Sequence, residues 1–189
     1  MPVGAIVGIV VAVVLAIIFG GGYNRLVGLR NQTKNAWAQI DVQLKRRYDL
    51  NPNLVETVKG YTKHERETLE AVTKARNIAQ QLSSSGAAER SKAESELSSA
   101  LARLLVVVER YPDLKANQNY LALQEELTST ENKISFARQY YNDSVYKYNN
   151  ATQMFPSNVV ARMFGFKSGE FFEITVAEEK AAPKVSFTQ

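Results

Sequence analysis

Residues 3–22 carry no charged side chain, and that run constrains the chain more than any other feature. Its twenty residues, at 1.5 Å each, make a helix about 30 Å long, the thickness of a bilayer's hydrocarbon core. Val, Ile, Ala and Gly dominate it, so a transmembrane helix is predicted over residues 1–22. Met1, Pro2 and Val3 supply no basic leader, which predicts a retained anchor rather than a cleaved signal peptide. No Lys or Arg precedes the run, whereas Arg25, Arg30 and Lys34 follow it closely. That bias predicts a single pass with the N-terminus outside and the rest of the chain in the cytoplasm.

Within the anchor, Gly4, Gly8, Ala12, Ala16 and Gly20 recur at every fourth position. Small residues on one stripe let helix backbones approach closely in a solvent as apolar as the side chains themselves, so the ladder predicts a homo-oligomer. The competing explanation is that Gly and Ala are common in membrane helices and align by chance. Gly20, Gly21 and Gly22 are each about 1 kcal/mol less favourable than Ala inside a helix, and they predict a bend at the membrane boundary.

Beyond Tyr23 the apolar pattern has the helical period. Leu26, Trp37, Ile40 and Leu44 define a first helix running to about Tyr48. Trp37 is expected in its core, so that Trp37→Ala would cost about 3–5 kcal/mol. A turn is predicted at residues 49–53, with Asn51 as N-cap and Pro52 at the first position of a second helix. Leu54, Val58, Tyr61, Leu69, Val72 and Ala79 form that helix's stripe until Ser83, Ser84, Ser85 and Gly86 interrupt it. A third helix, residues 88–111, presents Leu97, Leu101, Leu104, Val108 and Tyr111 and stops at Pro112. Val106 lies on its opposite side. The fourth, residues 118–152, repeats Leu123, Leu127, Thr130, Ile134, Ala137, Tyr141, Val145 and Tyr148 behind Asn117 as cap. Long helices with short connections must lie antiparallel to their neighbours. The predicted fold is therefore all-α: a transmembrane helix followed by an up-down four-helix bundle (residues 23–155), a short helix with an aromatic segment (156–172) and a tail (173–189).

The short segment has its own character. Pro156 and Ser157 open a helix that Gly165 closes, and Phe155, Val159, Met163, Phe164 and Phe166 accompany Arg162 and Lys167. Up-down topology returns it to the membrane, so those five apolar residues are candidates for contact with the lipid bilayer. The alternative is a cap folded back over the bundle's apolar end.

Chemistry is harder to find. All 23 Lys and Arg and all 19 Asp and Glu lie beyond residue 24, and the excess of +4 is too mild and too dispersed to imply nucleic acid. The densest cationic run, Lys45, Arg46 and Arg47, falls at the end of the predicted first helix, where the helix dipole favours cations. Zero cysteines exclude disulfides and thiolate chemistry and fit a reducing compartment. His64 and Glu65 begin a zinc-protease pattern whose second histidine would stand where Thr68 does. A di-iron bundle needs a Glu-x-x-His pair from each of two helices, and this chain has one histidine. No phosphate loop and no Ser-His-Asp set can be assembled. No catalytic residue, metal or cofactor is expected, and no enzymatic activity. Arg30, Glu65 and Arg76 fall within apolar stripes and must find partners there. They read as satisfied or snorkelling side chains before they read as a buried switch.

The strings Tyr23-Asn24-Arg25-Leu26-Val27, residues 36–47 (AWAQIDVQLKRR) and residues 52–61 (PNLVETVKGY) resemble the LemA family of bacterial membrane proteins. So do Tyr111-Pro112-Asp113-Leu114-Lys115-Ala116-Asn117, Leu123-Gln124-Glu125-Glu126-Leu127, Thr130-Glu131-Asn132 and Tyr141-Asn142-Asp143. Asn51 departs from the pattern, which has an apolar residue there. The resemblance, which extends to a magnetosome membrane protein, implies a single-pass inner or plasma membrane protein with a helical bundle and no established activity or cofactor. The expected function is a membrane-anchored scaffold or adaptor; the alternative is a self-assembling, membrane-remodelling or lipid-organising protein. A membrane-protein partner of the quality-control or protease kind follows only from the resemblance.

Overall fold

The computed structural model describes residues 3–62 and 64–173, so the predicted tail lies outside the described residues after Glu173. These form six α-helices and one 3-10 turn, with no strand among them: α1 (Val3–Lys59), α2 (Arg66–Gln81), α3 (Ala87–Val108), α4 (Pro112–Lys115), α5 (Gln118–Gln153) and α6 (Ser157–Met163). The all-α class and the long apolar N-terminal helix are as the periodicity requires.

Two boundaries differ from expectation. Gly20, Gly21 and Gly22 do not interrupt α1, and neither does Pro52; the helix runs unbroken for 57 residues. The turn predicted at residues 49–53 is therefore absent, and the first reversal comes at residues 60–65, with α2 starting at Arg66. Asn51 is no N-cap. It is buried in mid-helix, and neither polar atom of its side chain has a hydrogen-bond partner among the described groups. Lys45, Arg46 and Arg47 accordingly do not sit at a helix end. Asn117 does cap α5, its Oδ1 accepting the amides of Asn119 (2.9 Å) and Tyr120 (3.1 Å).

The chain divides into two compact units. One comprises residues 44–132 with Phe172 and Glu173. Here four helical stretches pack up-down-up-down around Leu54, Val58, Leu69, Val72, Leu104, Val108, Leu114 and Tyr120. The reversals at one end are tied together: Tyr111 donates from its hydroxyl to Glu65 at 3.2 Å, and Asn117 donates to the Tyr61 hydroxyl at 2.7 Å. Val106 faces out, as its position on α3 predicted.

The other unit comprises residues 3–43 and 133–171. In it α1 and α5 run antiparallel: Gln32 meets Tyr140 (3.4 Å), Trp37 packs on Tyr141, and Leu26 packs with Ala151. Four helices do not meet here. The third and fourth places are taken by α6 and by an extended strip that returns along α5, where Asn149 and Gly169 exchange hydrogen bonds at 3.0 and 2.8 Å and Tyr141 donates to the Glu170 carbonyl at 2.9 Å. Trp37 is half-buried rather than buried, because the neighbouring Ala36 occupies the core position on α1.

Candidate membrane-interface site

The apolar run of α1 is exposed from Val3 to Ile18, and no part of its most apolar window is buried among the described residues; Phe19, on its last turn, is half-buried. Gly4, Gly8, Ala12, Ala16 and Gly20 form one exposed stripe on it. A Cβ added at Gly4, Gly8 or Gly20 would meet nothing within 4 Å, so no contact among the described residues accounts for those glycines.

Where the run ends, packing begins. Leu26, on the next turn after Gly22, is fully buried with Ala151, Val160 and Ala161, and Phe19, Leu29 and Phe166 lie against them. The start of α6 is fastened by the Ser157 hydroxyl, which donates to the Ala151 carbonyl at 2.6 Å. Its end is a Schellman motif: Phe166 N–H bonds the Ala161 carbonyl (2.9 Å), Gly165 N–H bonds that of Arg162 (3.4 Å), and Gly165 has φ +68°, a conformation that only glycine adopts without cost. Val160 comes so close to α1 that a Cβ at Gly22 would lie 3.2 Å from its Cγ2.

This seating makes α6 two-sided. Ser157, Val160 and Ala161 face the core, while Val159 and Met163 face out; Phe164, Phe155 and Met154 are also exposed. Phe155 is 83% exposed and Met163 66%, apolar surface that no described residue covers. Phe166 belongs to the other side: it is half-buried, edge-on to Tyr23 (5.7 Å between centroids) and 5.0 Å below the guanidinium of Arg30. Arg30, a charge in an apolar stripe, is satisfied by that aromatic face. Tyr23 also meets Phe164 at 4.8 Å. Of the five residues expected at lipid, Phe155, Val159, Met163 and Phe164 are exposed, and Phe166 is half-buried. Tyr23 is the member that sequence reasoning missed, although its place directly after the anchor marks an aromatic-belt position.

A second constellation, equally unforeseen, lies in the 44–132 unit. Arg47 is 2% exposed and pairs with the buried carboxylate of Glu94, which also receives the Tyr48 hydroxyl. Arg47 further bonds Glu131 (2.8 Å) and Ser98 (3.0 Å). Burial, and then the adjoining Glu94 charge and hydrogen bond, push the Tyr48 phenol well above its usual range against the opposing fields of Arg90 and Arg47. The other two striped charges also have partners. Glu65 receives Tyr111 and lies 3.6 Å from Arg110, and Arg76 donates to the Tyr48 carbonyl. A buried ion pair with hydroxyl partners of this kind specifies packing. His64 is exposed, and among the described residues no three His, Asp or Glu side chains converge on a point.

A family model described as the LemA family matches residues 36–187. The chain belongs to the LemA family. It is 28% identical over 163 residues to Protein LemA of Metamycoplasma hominis, an alignment covering 85% of this chain and 73% of that protein. It is 27% identical to Magnetosome protein MamQ 2 of Paramagnetospirillum magneticum and 25% identical to Magnetosome protein MamQ of Magnetospirillum gryphiswaldense. Those two alignments cover 80% and 79% of this chain and 64% of each relative, so the chain spans just under two thirds of the magnetosome proteins. Membership of the LemA family and the exposed, membrane-length stretch of α1 together make it a membrane protein.

Proposed function

We propose that this LemA-family protein is a non-enzymatic scaffold or adaptor, anchored by residues 3–22 in the bacterial inner or plasma membrane with its N-terminus outside and its helical units in the cytoplasm. The observation that carries this is the continuity of α1. The apolar run passes into a packed helix within one turn of Gly22, with no linker, so whatever the packed part presents is held at a fixed height and orientation above the bilayer. Sidedness rests on Arg25, Arg30 and Lys34. The names of the relatives and the paired state of the buried charges favour no reaction.

The exposed small-residue stripe supports self-association of the anchors. Membrane crosslinking and the mass of the detergent-solubilised protein test it. Gly8→Leu with Ala12→Leu should shift the assembly to smaller species, and unchanged size and crosslinking would leave the run as an anchor alone. A discrete oligomer fits a scaffold for a membrane-protein partner, of which a quality-control protease is one kind. Open arrays or deformed liposomes would instead support the second reading, a lipid-organising protein, which the exposed apolar surface beside α6 favours.

A further inference from the structure

The outer face of α6 is bare, and the structure says what lies opposite it. Val160 touches α1 at Gly22, the last residue of the apolar run, and Tyr23 touches Phe164. The depth of α6 is thereby fixed relative to the anchor: when residues 3–22 span the hydrocarbon, Phe155, Val159, Met163 and Phe164 stand at the boundary between acyl chains and headgroups. Charge selects the kind of headgroup. Residues 23–34 and 150–169 contain Arg25, Arg30, Lys34, Arg162 and Lys167 and not one Asp or Glu. Of the 23 Lys and Arg in the chain, the other 18 are outnumbered by the 19 Asp and Glu, so these two stretches carry the chain's positive excess.

We infer that α6 and its flanking residues form an interfacial collar that inserts Phe155, Met163 and Phe164 among lipids and gathers anionic phospholipid around the anchor. Apolar side chains at the headgroup boundary and cations just above it are the two components of peripheral membrane attachment. Here they are built onto a transmembrane helix, where they fix its tilt and rotation instead of supplying the attachment itself. The inward face of α6, Val160 and Ala161, rigidifies the collar against α1. Cap and interface, alternatives from the sequence, are the two sides of one helix. The inference rests on the anchor reading of residues 3–22.

The chain has no cysteine, so single Cys substitutions in the full-length protein can carry an environment-sensitive fluorophore without background. Met163→Cys, Ile9→Cys in the anchor and Phe136→Cys, exposed on α5, would be reconstituted in phosphatidylcholine vesicles containing phosphatidylglycerol. Nitroxide-labelled versions of either lipid then report contact. Expected are quenching at Ile9 by deep nitroxides, quenching at Met163 by shallow ones, and quenching at Phe136 by aqueous iodide alone. At Met163, labelled phosphatidylglycerol should quench several-fold more than labelled phosphatidylcholine, and Arg162→Gln with Lys167→Gln should remove most of that preference. A Met163 label quenched by iodide as readily as Phe136 overturns the collar. So does one shielded from both media and crosslinked to a second copy, or one quenched equally by both lipids. An Ile9 label outside lipid would fail the anchor reading itself, a result distinct from any of these.

Discussion

Arg76 donates from Nε to the main-chain carbonyl of Tyr48 at 2.8 Å, and this is the carbonyl that Pro52, four residues on, leaves without its helical amide. Proline inside a helix costs about 3 kcal/mol, in part for that lost bond. The guanidinium of a neighbouring helix replaces it, and α1 continues. Arg76→Met should then destabilise the protein by about 1–3 kcal/mol, because a shielded carbonyl loses its partner. The same substitution in a Pro52→Ala background should cost markedly less, since alanine at that position supplies its own amide. Denaturant unfolding of the four variants in micelles measures the coupling; additive effects would mean that Arg76 acts elsewhere.

Asn51 lies one residue before that proline, buried and without a hydrogen-bond partner for either side-chain atom. Asn51→Leu should stabilise the protein by about 1–3 kcal/mol, since an unpaired buried amide is replaced by an apolar group of like size. A higher Tm, read by the loss of helical circular dichroism, is the expected result.

The Arg47–Glu94 pair is nearly inaccessible on both sides. Glu94→Leu alone should cost about 3 kcal/mol because it takes from Arg47 its buried carboxylate and leaves only the solvent-exposed Glu131 to balance the charge, and Arg47→Met with Glu94→Leu should cost distinctly less than the sum of the single changes. Double-mutant unfolding free energies decide the matter.

Tyr48 has its phenol raised above the ordinary value of 10.0, burial being the first cause and Glu94 the next. A raised folded-state pKa keeps the proton on in the native state while the unfolded chain releases it. The corresponding stability is fully present below about pH 10 and is lost as pH climbs from there through the folded pKa. Unfolding free energy should fall with pH above about 10, and Tyr48→Phe should flatten that slope even as it lowers stability at neutral pH. An unchanged slope would assign alkaline unfolding to other groups.

Trp37 contacts Tyr141 in a tilted stack with centroids 5.1 Å apart and remains half-buried. Its removal should therefore cost about 1–3 kcal/mol, below the ~3–5 kcal/mol of full burial, whereas Ile40→Ala, at a fully buried site, should cost about 2–5 kcal/mol. Thermal unfolding of the two variants ranks them.

The sequence by itself determined the apolar span, the helical period of nearly every packed segment, the Asn117 cap and the Gly165 stop, because each depends on residues within a turn or two of one another. Its misreading at residues 49–53 is informative. The buried positions Ile40, Leu44, Arg47, Asn51, Leu54 and Val58 keep the four-three spacing of one continuous helix, but two of them are polar, and Asn-Pro is a strong local turn signal. Local propensity is worth a few kcal/mol and yields when a distant group offsets it. Only the tertiary structure brings up Arg76 for the orphaned carbonyl and Glu94 for Arg47, from helices 28 and 47 positions further along the chain. The same holds for α6. Its amphipathic composition is written in the sequence, but which side chains it buries was decided by how close Gly22 lets Val160 approach, a contact between residues at opposite ends of the chain.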